Sequence, residues 1–238
     1  MTTVQRQRPA REVDYPSGDG KPMAETELHL LDMIDTILLL KDYFAARPNV
    51  YVCGNLLLYY EEGNPRKHVA PDVLVALDVP KEPPRDNYLV WKEGKAPDFV
   101  VEITSKSTHQ EDRKKKFEIY RDILRVSELF LFDPTEDYLD PPLQGFRLAR
   151  GKYVAIKRIA GRLPSRILGL HLERDGTKLR LFDPAMGKRL LTRLEGRAAA
   201  DRRAAAADRR AAGAEAAEQR IVEENERLRR EIEALRGG

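Results

Sequence analysis

Residues 97–104 read PDFVVEIT, and residues 69–78 read VAPDVLVALD. Both are short runs of β-branched and large apolar residues, which is typical of buried strands. Each run nevertheless contains an acid, Asp72 in the earlier one and Glu102 in the later one. Alternation along the later strand places Asp98 and Glu102 on one face. Because an unpaired buried carboxylate costs several kcal/mol, the pattern predicts that something offsets these charges.

Two kinds of partner would offset the charges of Asp72 and Glu102. A divalent cation held between adjacent strands is one, and hard carboxylate oxygens favour Mg²⁺ or Mn²⁺. The other is an ordinary ion pair with Lys or Arg at a strand end, or contact with water at the sheet edge. The spacing of the acids leaves both interpretations open.

A helix predicted over residues 108–124 bears on which partner offsets the charges of Asp72 and Glu102. Asp112, Lys116 and Tyr120 recur every four residues and therefore share one face. A lysine on that face is able to approach the acids of the strands, although the basic run 113–116 is also typical of a solvated surface. Two strand carboxylates and a nearby lysine form the constellation that metal-dependent phosphodiester hydrolysis requires.

The remaining segments predict a sheet flanked by helices, of α/β or α+β class. Leu28, Leu31, Ile34, Leu38 and Tyr43 recur at spacings of three to five and predict a first helix over residues 25–46. Further strands are predicted at residues 50–60, 69–77, 128–132, 166–172 and 178–182, with a hairpin over 145–160 that turns at Arg150-Gly151. Residues 78–96 are predicted to form a loop.

Three segments together resemble the Uma-two family of restriction endonuclease-like proteins, a branch of the PD-(D/E)XK nuclease superfamily. They are residues 70–78 (APDVLVALD), 96–108 (APDFVVEITSKST) and 111–134 (EDRKKKFEIYRDILRVSELFLFDP). The resemblance covers roughly residues 25–172. It implies an α/β fold with a restriction-endonuclease-like mixed sheet flanked by helices, and Mg²⁺-dependent or Mn²⁺-dependent hydrolysis of DNA.

The resemblance also assigns roles to residues of this chain. It implies that Asp72 is the metal-binding aspartate and that Glu102 is the acid of the superfamily motif. Thr104 stands where the superfamily usually has lysine, and in this branch Lys116 is expected to take over that role on the following helix. Tyr120 lies one turn later.

Three further residues are accessory candidates. Lys106 stands where the branch has proline, and it is an alternative cation near the acids. Superfamily members often carry an acid on the first helix, and Glu25 is the candidate here, with His29 one turn later. Ordinary helix-cap and surface roles remain open for Glu25 and His29.

The last 42 residues differ from the rest in composition, with 13 Ala, 10 Arg and 9 acidic residues. They predict a long helix and admit a heptad register whose a and d positions end in a short Ile/Leu zipper. The a positions are Ala204, Ala211, Glu218, Asn225 and Ile232; the d positions are Ala207, Ala214, Ile221, Leu228 and Leu235. A solvated single helix is the alternative, but the zipper favours a coiled coil and a homodimer.

The chain is thus predicted to consist of a flexible lead (1–19), a nuclease-like domain (20–185) and a C-terminal helix or coiled coil (186–238). It has 42 basic and 39 acidic residues among 238, and this balance does not exclude DNA because a metal-dependent nuclease needs acids at its centre. The single cysteine, Cys53, suits a reducing cytoplasm, and no apolar run is long enough to span a bilayer. The rival function is a catalytically inactive nuclease-fold protein that assembles through its coiled coil.

Overall fold

The computed structural model describes residues 13–18, 20, 26–104 and 111–236, with only the backbone described for 111–113. The helices in these ranges are α1 (Glu27–Tyr43), α2 (Val90–Glu93), α3 (Glu111–Glu118) and α4 (Arg193–Arg236). A π-helical turn, Ile119–Ile123, directly continues α3. The strands are β1 (Val50–Cys53), β2 (Leu58–Tyr59), β3 (His68–Val69), β4 (Val73–Leu77), β5 (Tyr88–Leu89), β6 (Phe99–Ile103), β7 (Glu128–Phe132), β8 (Leu143–Ala149), β9 (Lys152–Ala155), β10 (Leu163–Pro164), β11 (His171–Asp175), β12 (Lys178–Asp183) and β13 (Lys188–Arg189).

A six-stranded mixed sheet with the order β1-β4-β6-β7-β8-β9 forms the centre of the fold. Strands β6 and β7 are parallel, and the other neighbouring pairs are antiparallel. A parallel pair needs a crossover connection, and the segment containing α3 supplies it. The predicted α/β fold with a mixed sheet flanked by helices is confirmed.

Both faces of the central sheet are covered, as the nearly continuous apolar runs of its inner strands require. On one face, Val73 and Val101 pack in a cluster that includes Met33 of α1 and Leu181 of the four-stranded sheet β10-β11-β12-β13. The cluster on the other face contains Leu74, Val100 and Leu129 from the central strands. It also contains Ile119 and Tyr120 of the π-helical turn and residues of the small sheet β3-β2-β5. Strands β4 and β6 therefore lie between two packed layers.

Several predicted boundaries differ from the structure. The segment 50–60 forms two strands rather than one, because Gly54 and Asn55 interrupt it and Asn55 has a positive φ of 50°. The loop predicted over 78–96 contains β5 and the single turn α2. The hairpin β8-β9 turns at Arg150 and Gly151 as predicted, and both residues have positive φ, which suits a tight hairpin.

Helix α1 is confirmed, but the apolar residues that predicted it are not its buried face. Leu28, Leu31, Ile34 and Tyr43 are exposed. The buried residues of α1 are His29, Asp32, Met33, Thr36, Leu39 and Leu40. The helix begins after Thr26, whose hydroxyl accepts a hydrogen bond from the backbone N–H of His29 at 3.1 Å. Three of these buried side chains, those of His29, Asp32 and Thr36, are polar, so the inner face of α1 is not purely apolar.

The chain divides into two compact units, Met1–Leu190 and Leu191–Gly238. The second unit is dominated by α4, none of whose residues is buried. Thr192 and Glu195 form a reciprocal cap at its start: Oε2 of Glu195 accepts from the N–H of Thr192 at 2.9 Å, and the Thr192 hydroxyl accepts from the N–H of Glu195 at 3.3 Å. Within the described residues, every helix is too short or too polar to cross a bilayer.

Candidate active site

Asp72 and Glu102 meet across the β4-β6 pair. The antiparallel register pairs Val73 with Val101, so the next residue outward on each strand is Asp72 or Glu102. Asp72 is held there by the backbone, because its Oδ2 accepts a hydrogen bond from the N–H of Ile103 at 2.6 Å. The sequence prediction that these two strand acids lie together agrees with this register.

Lys116 and Tyr120 both bind the carboxylate of Glu102. The ammonium Nζ of Lys116 lies 2.7 Å from Oε2 and also donates to the carbonyl of Ala70 at 3.1 Å. The Tyr120 hydroxyl donates to Oε1 at 2.5 Å. Each oxygen of Glu102 therefore has its own donor, which fixes the plane of the carboxylate. The four-residue spacing of Lys116 and Tyr120 brings both to one face of the helix, as the sequence predicts.

The helix that carries these residues changes its hydrogen-bonding pattern at the site. The sequence predicts a continuous α-helix to Leu124, whereas the segment from Ile119 to Ile123 is π-helical. The N–H of Leu124 accordingly donates to the carbonyl of Ile119 at 2.9 Å, five residues back. Single π-helical turns occur frequently at functional sites, and this one contains Tyr120. The wider turn changes the angular position of Tyr120 relative to an ideal α-helix.

Burial raises the pKa of Glu102 to about 7. The neighbouring Asp72 carboxylate raises it further, while Lys116 and the hydrogen bond from Tyr120 oppose the shift. The pKa of the Tyr120 hydroxyl lies well above its ordinary value, chiefly through burial and secondly through the charge of Glu102. Tyr120 therefore remains a hydrogen-bond donor at neutral pH. Burial is thus the main cause of the raised pKa of Glu102, and the attraction of Lys116 outweighs the repulsion of Asp72.

His29 reaches Asp72 from the other side of the sheet. Its Nε2 lies 3.0 Å from Oδ1 of Asp72, and only 6% of His29 and 8% of Asp72 are exposed. Asp32, on the same helix, is equally buried, and its Oδ1 accepts from the N–H of Leu179 at 3.2 Å. Burial raises the pKa of Asp32 to about 6. Helix α1 thus places the imidazole of His29 against Asp72, and it carries a second buried carboxyl group, that of Asp32.

The structure brings together five of the seven predicted site residues: Asp72, Glu102, Lys116, Tyr120 and His29. Glu25 and Lys106 lie outside the described residues. Asp98 shares a strand face with Glu102 but does not join the site, since it forms an ion pair with Lys95 at 2.7 Å. Thr104, at the usual position of the superfamily lysine, turns its hydroxyl to the carbonyl of Phe132 at 3.2 Å.

Sequence reasoning missed the backbone contributions to the site. The N–H of Ile103 and the carbonyl of Ala70 bind Asp72 and Lys116, respectively. Gly54 was also missed: a Cβ added there would lie 2.0 Å from the carbonyl oxygen of Asp72. The signal for Gly54 is visible in the sequence, because a glycine interrupting a strand-like run often marks a close backbone approach.

The donor set of the site suits a hard divalent cation. Asp72 and Glu102 supply carboxylate oxygens, which Mg²⁺ and Mn²⁺ prefer, and burial, together with the smaller effect of the Asp72 charge, raises the pKa of Glu102. Among the side chains that the structure describes, no three His, Cys, Asp or Glu converge as a metal-binding group. A metal at Asp72 and Glu102 would therefore need further ligands from water, from substrate or from residues outside the described ranges.

Comparisons with known proteins identify the family. The chain is similar to the solved structure of "a putative nuclease belonging to DUF820" from Anabaena variabilis ATCC 29413, with 17% identity and a TM-score of 0.47 over 66% of this chain and 85% of that one. No curated protein matches the sequence. The family model Uma2, described as "Putative restriction endonuclease", matches residues 5–172, which is more than half of the chain. The protein therefore belongs to the Uma2 family.

Proposed function

We propose that this protein is a metal-dependent endonuclease that hydrolyses phosphodiester bonds in DNA. The observation that carries the proposal is the Asp72–Glu102 pair, in which Lys116 and Tyr120 bind one carboxylate while Ile103 binds the other. Membership of the Uma2 family supports the same conclusion. The two adjoining carboxylates, with the ammonium group of Lys116 2.7 Å from Oε2 of Glu102, fit a centre that would bind metal and phosphate together.

Asp72 and Glu102 are the residues proposed to hold Mg²⁺ or Mn²⁺. When bound, such an ion acts as a Lewis acid toward a phosphoryl oxygen and lowers the pKa of a coordinated water. The backbone N–H of Ile103 orients Asp72, with His29 against its other oxygen. Tyr120 and Lys116 orient Glu102.

Lys116 is proposed to have a second role toward the substrate. Its ammonium group lies 2.7 Å from Oε2 of Glu102, and there it would stabilise the negative charge that develops on phosphoryl oxygens during the reaction. The exposed Lys114 and Lys115 on the same helix are proposed to contact DNA phosphates nearby. Glu25 and Lys106 remain proposed accessory residues, an acid and a cation.

The proposal extends to the organisation of the chain. Residues 20–185 would form the nuclease-like domain, after a lead of residues 1–19, and residues 186–238 would form a coiled coil that pairs two copies in a homodimer. Two copies would bring two centres to one duplex, which suits cleavage of both strands. The cytoplasm is the proposed location, because the single Cys53 suits a reducing compartment.

A cleavage assay with the purified full chain tests the function. Supercoiled plasmid, single-stranded DNA, branched DNA and single-stranded RNA are incubated separately with Mg²⁺, with Mn²⁺ and with EDTA. We expect DNA to be cut in the presence of either metal and to remain intact in EDTA. Cleavage of RNA alone would assign a ribonuclease. If no substrate is cut with either metal, the protein is instead a non-catalytic member that acts through assembly.

A further inference from the structure

Helix α4 exposes a column of large apolar side chains along its last four turns. Ile221, Leu228, Ile232 and Leu235 are 62%, 43%, 49% and 80% exposed. The successive spacings are seven, four and three residues, which place Ile232 at an a position and the other three residues at d positions of a coiled-coil heptad. Contiguous exposed apolar surface of this kind marks an interaction site.

The charges beside the column have a consistent arrangement. In the heptad register with Asn225 at a, the g positions are occupied by Glu224 and Glu231. The following e positions are occupied by Arg229 and Arg236. Thus all the charged side chains on one flank of the zipper are acidic, and all those on the other flank are basic.

We propose that α4 binds α4 of a second copy of this chain as a parallel, in-register, two-stranded coiled coil. In that arrangement each g residue faces the e residue five positions later on the other helix. Glu224 then faces Arg229 of the second copy, and Glu231 faces Arg236 of the second copy. Both pairs occur twice by symmetry, so four attractive pairs flank the zipper.

An antiparallel arrangement brings like charges together. In it, g faces g and e faces e, so Glu would meet Glu and Arg would meet Arg along the whole zipper. The charge pattern thus selects the parallel orientation and disfavours the other. The existing contact of Glu224 with Arg227 of its own helix, at 2.7 Å between largely exposed side chains, is a weak surface pair that does not prevent this exchange.

Asn225 fixes the register of the proposed pair. It is the one polar a residue inside the zipper between Ile221 and Leu235. Aligned helices allow the two Asn225 side chains to hydrogen-bond to each other, whereas a shifted register buries each against apolar groups. The alanines at the a and d positions before Glu218 offer little apolar surface, so the zipper supplies most of the affinity.

The orientation has a consequence for the whole chain. In a parallel pair, both helices begin at the same end of the coiled coil, so both Met1–Leu190 units are attached at that end. An antiparallel pair would attach them at opposite ends. The parallel, in-register orientation rests on the homodimer proposed above and specifies its geometry, and it does not depend on catalysis by either copy.

Cysteine pairing measures the orientation directly in the full chain. Cys53→Ser removes the natural thiol, and Ile221→Cys or Ile232→Cys then adds one thiol near either end of the zipper. Each variant alone, in a glutathione redox buffer, is expected to form a disulfide-linked dimer. An equimolar mixture is expected to yield 221–221 and 232–232 links and almost no 221–232 link. Because a d residue faces an a residue in an antiparallel pair, predominant 221–232 linkage would establish that arrangement and overturn the proposal.

Charge reversal provides a second test that leaves the apolar column and Cys53 unchanged. Glu224→Arg/Glu231→Arg makes both flanks basic, and Arg229→Glu/Arg236→Glu makes both acidic. Sedimentation equilibrium is expected to show dimer dissociation constants raised about tenfold or more for each variant alone. Mixing the two variants should restore dimerisation.

Arg220→Glu/Arg230→Glu is the matched control, because these residues occupy c and f positions outside the flanks. Its dissociation constant should remain close to that of the unchanged chain. A monomeric unchanged chain, or equal affinities for all the variants, would refute the proposed interface.

Discussion

Lys116 and Glu102 are joined by a 2.7 Å contact between Nζ and Oε2, although they lie on a helix and a strand fourteen residues apart. The same ammonium group donates to the carbonyl of Ala70, two residues before Asp72. The helix therefore delivers a cation to the point where the two strand acids meet.

Removing the charge of Lys116 should abolish most of the proposed activity without removing the carboxylates. For Lys116→Met we expect DNA cleavage to fall by about 100-fold or more, since stabilisation of developing charge is lost. Binding of Mn²⁺ to the variant, followed by calorimetry, should persist. The exposed Lys152, which has no proposed role in the site, gives the control Lys152→Met, which should keep cleavage within about threefold. Equal losses in both variants would mean that Lys116 acts only as part of a general basic surface.

Tyr120→Phe should weaken the site by releasing Oε1 of Glu102. Loss of a buried hydrogen bond to a charged group costs about 1–3 kcal/mol, so we expect cleavage to fall roughly tenfold or more. Tyr153→Phe is the control, because that half-buried hydroxyl donates to the carbonyl of Val126 at 3.0 Å and does not contact Glu102. Comparable loss of activity in the two variants, measured at equal folded fraction, would argue against a positioning role for Tyr120.

Gly54→Ala should displace the backbone that carries Asp72. The added methyl group would lie 2.0 Å from the Asp72 carbonyl oxygen and 2.6 Å from Cδ1 of Ile37, so the strands must separate locally. We expect a lower thermal midpoint together with cleavage reduced more than tenfold. Gly196→Ala, in a helix with open space around it, should leave both properties nearly unchanged. A fully active Gly54→Ala variant would show that the position of Asp72 is not critical.

Asp32→Asn should stabilise the protein at neutral and alkaline pH. The folded state raises the pKa of Asp32 from 3.8 to about 6, because the carboxyl group is buried. Asp32 therefore costs no stability below about pH 4; the cost grows as the pH rises from about 4 to about 6, where only the unfolded state ionises readily, and it stays constant at higher pH. The full shift corresponds to about 3 kcal/mol as an upper bound.

Urea unfolding at pH 4 and pH 8 measures this effect. Asp32→Asn should gain stability over the unchanged chain at pH 8 and little at pH 4, since the amide keeps the acceptor for the N–H of Leu179. The exposed Asp86→Asn should show no such difference between the two pH values. A pH-independent effect of Asp32→Asn would contradict the proposed cost of ionising Asp32.

The sequence was sufficient to predict the mixed sheet and the proximity of two strand acids to a helix lysine and tyrosine. Acids inside apolar strand runs are costly, so Asp72 and Glu102 stand out without any structure. The four-residue spacing of Lys116 and Tyr120 predicts that they share a helix face, and both contact Glu102 although Tyr120 lies in the π-helical turn.

The helix α1 shows why other parts could not be predicted. Its apolar periodicity indicates a helix, yet the exposed residues include Leu31 and Ile34 while His29 and Asp32 are buried. Burial there depends on contacts with distant segments, such as Asp72 and Leu179, which local periodicity does not encode. The backbone donor of Ile103 is equally invisible, since every residue carries an N–H group.

Plasmid cleavage by Asp72→Asn and Glu102→Gln is the decisive test of the proposed metal centre. Both changes keep the shape of the side chain and remove its charge, and Asp98→Asn on the same strand face as Glu102 is the control outside the site. With Mg²⁺ or Mn²⁺, we expect cleavage to fall by about 100-fold or more in the first two variants and to change less than about threefold in the control. Circular dichroism should confirm that all three remain folded. Cleavage that persists undiminished in both Asp72→Asn and Glu102→Gln would contradict the assignment of this centre.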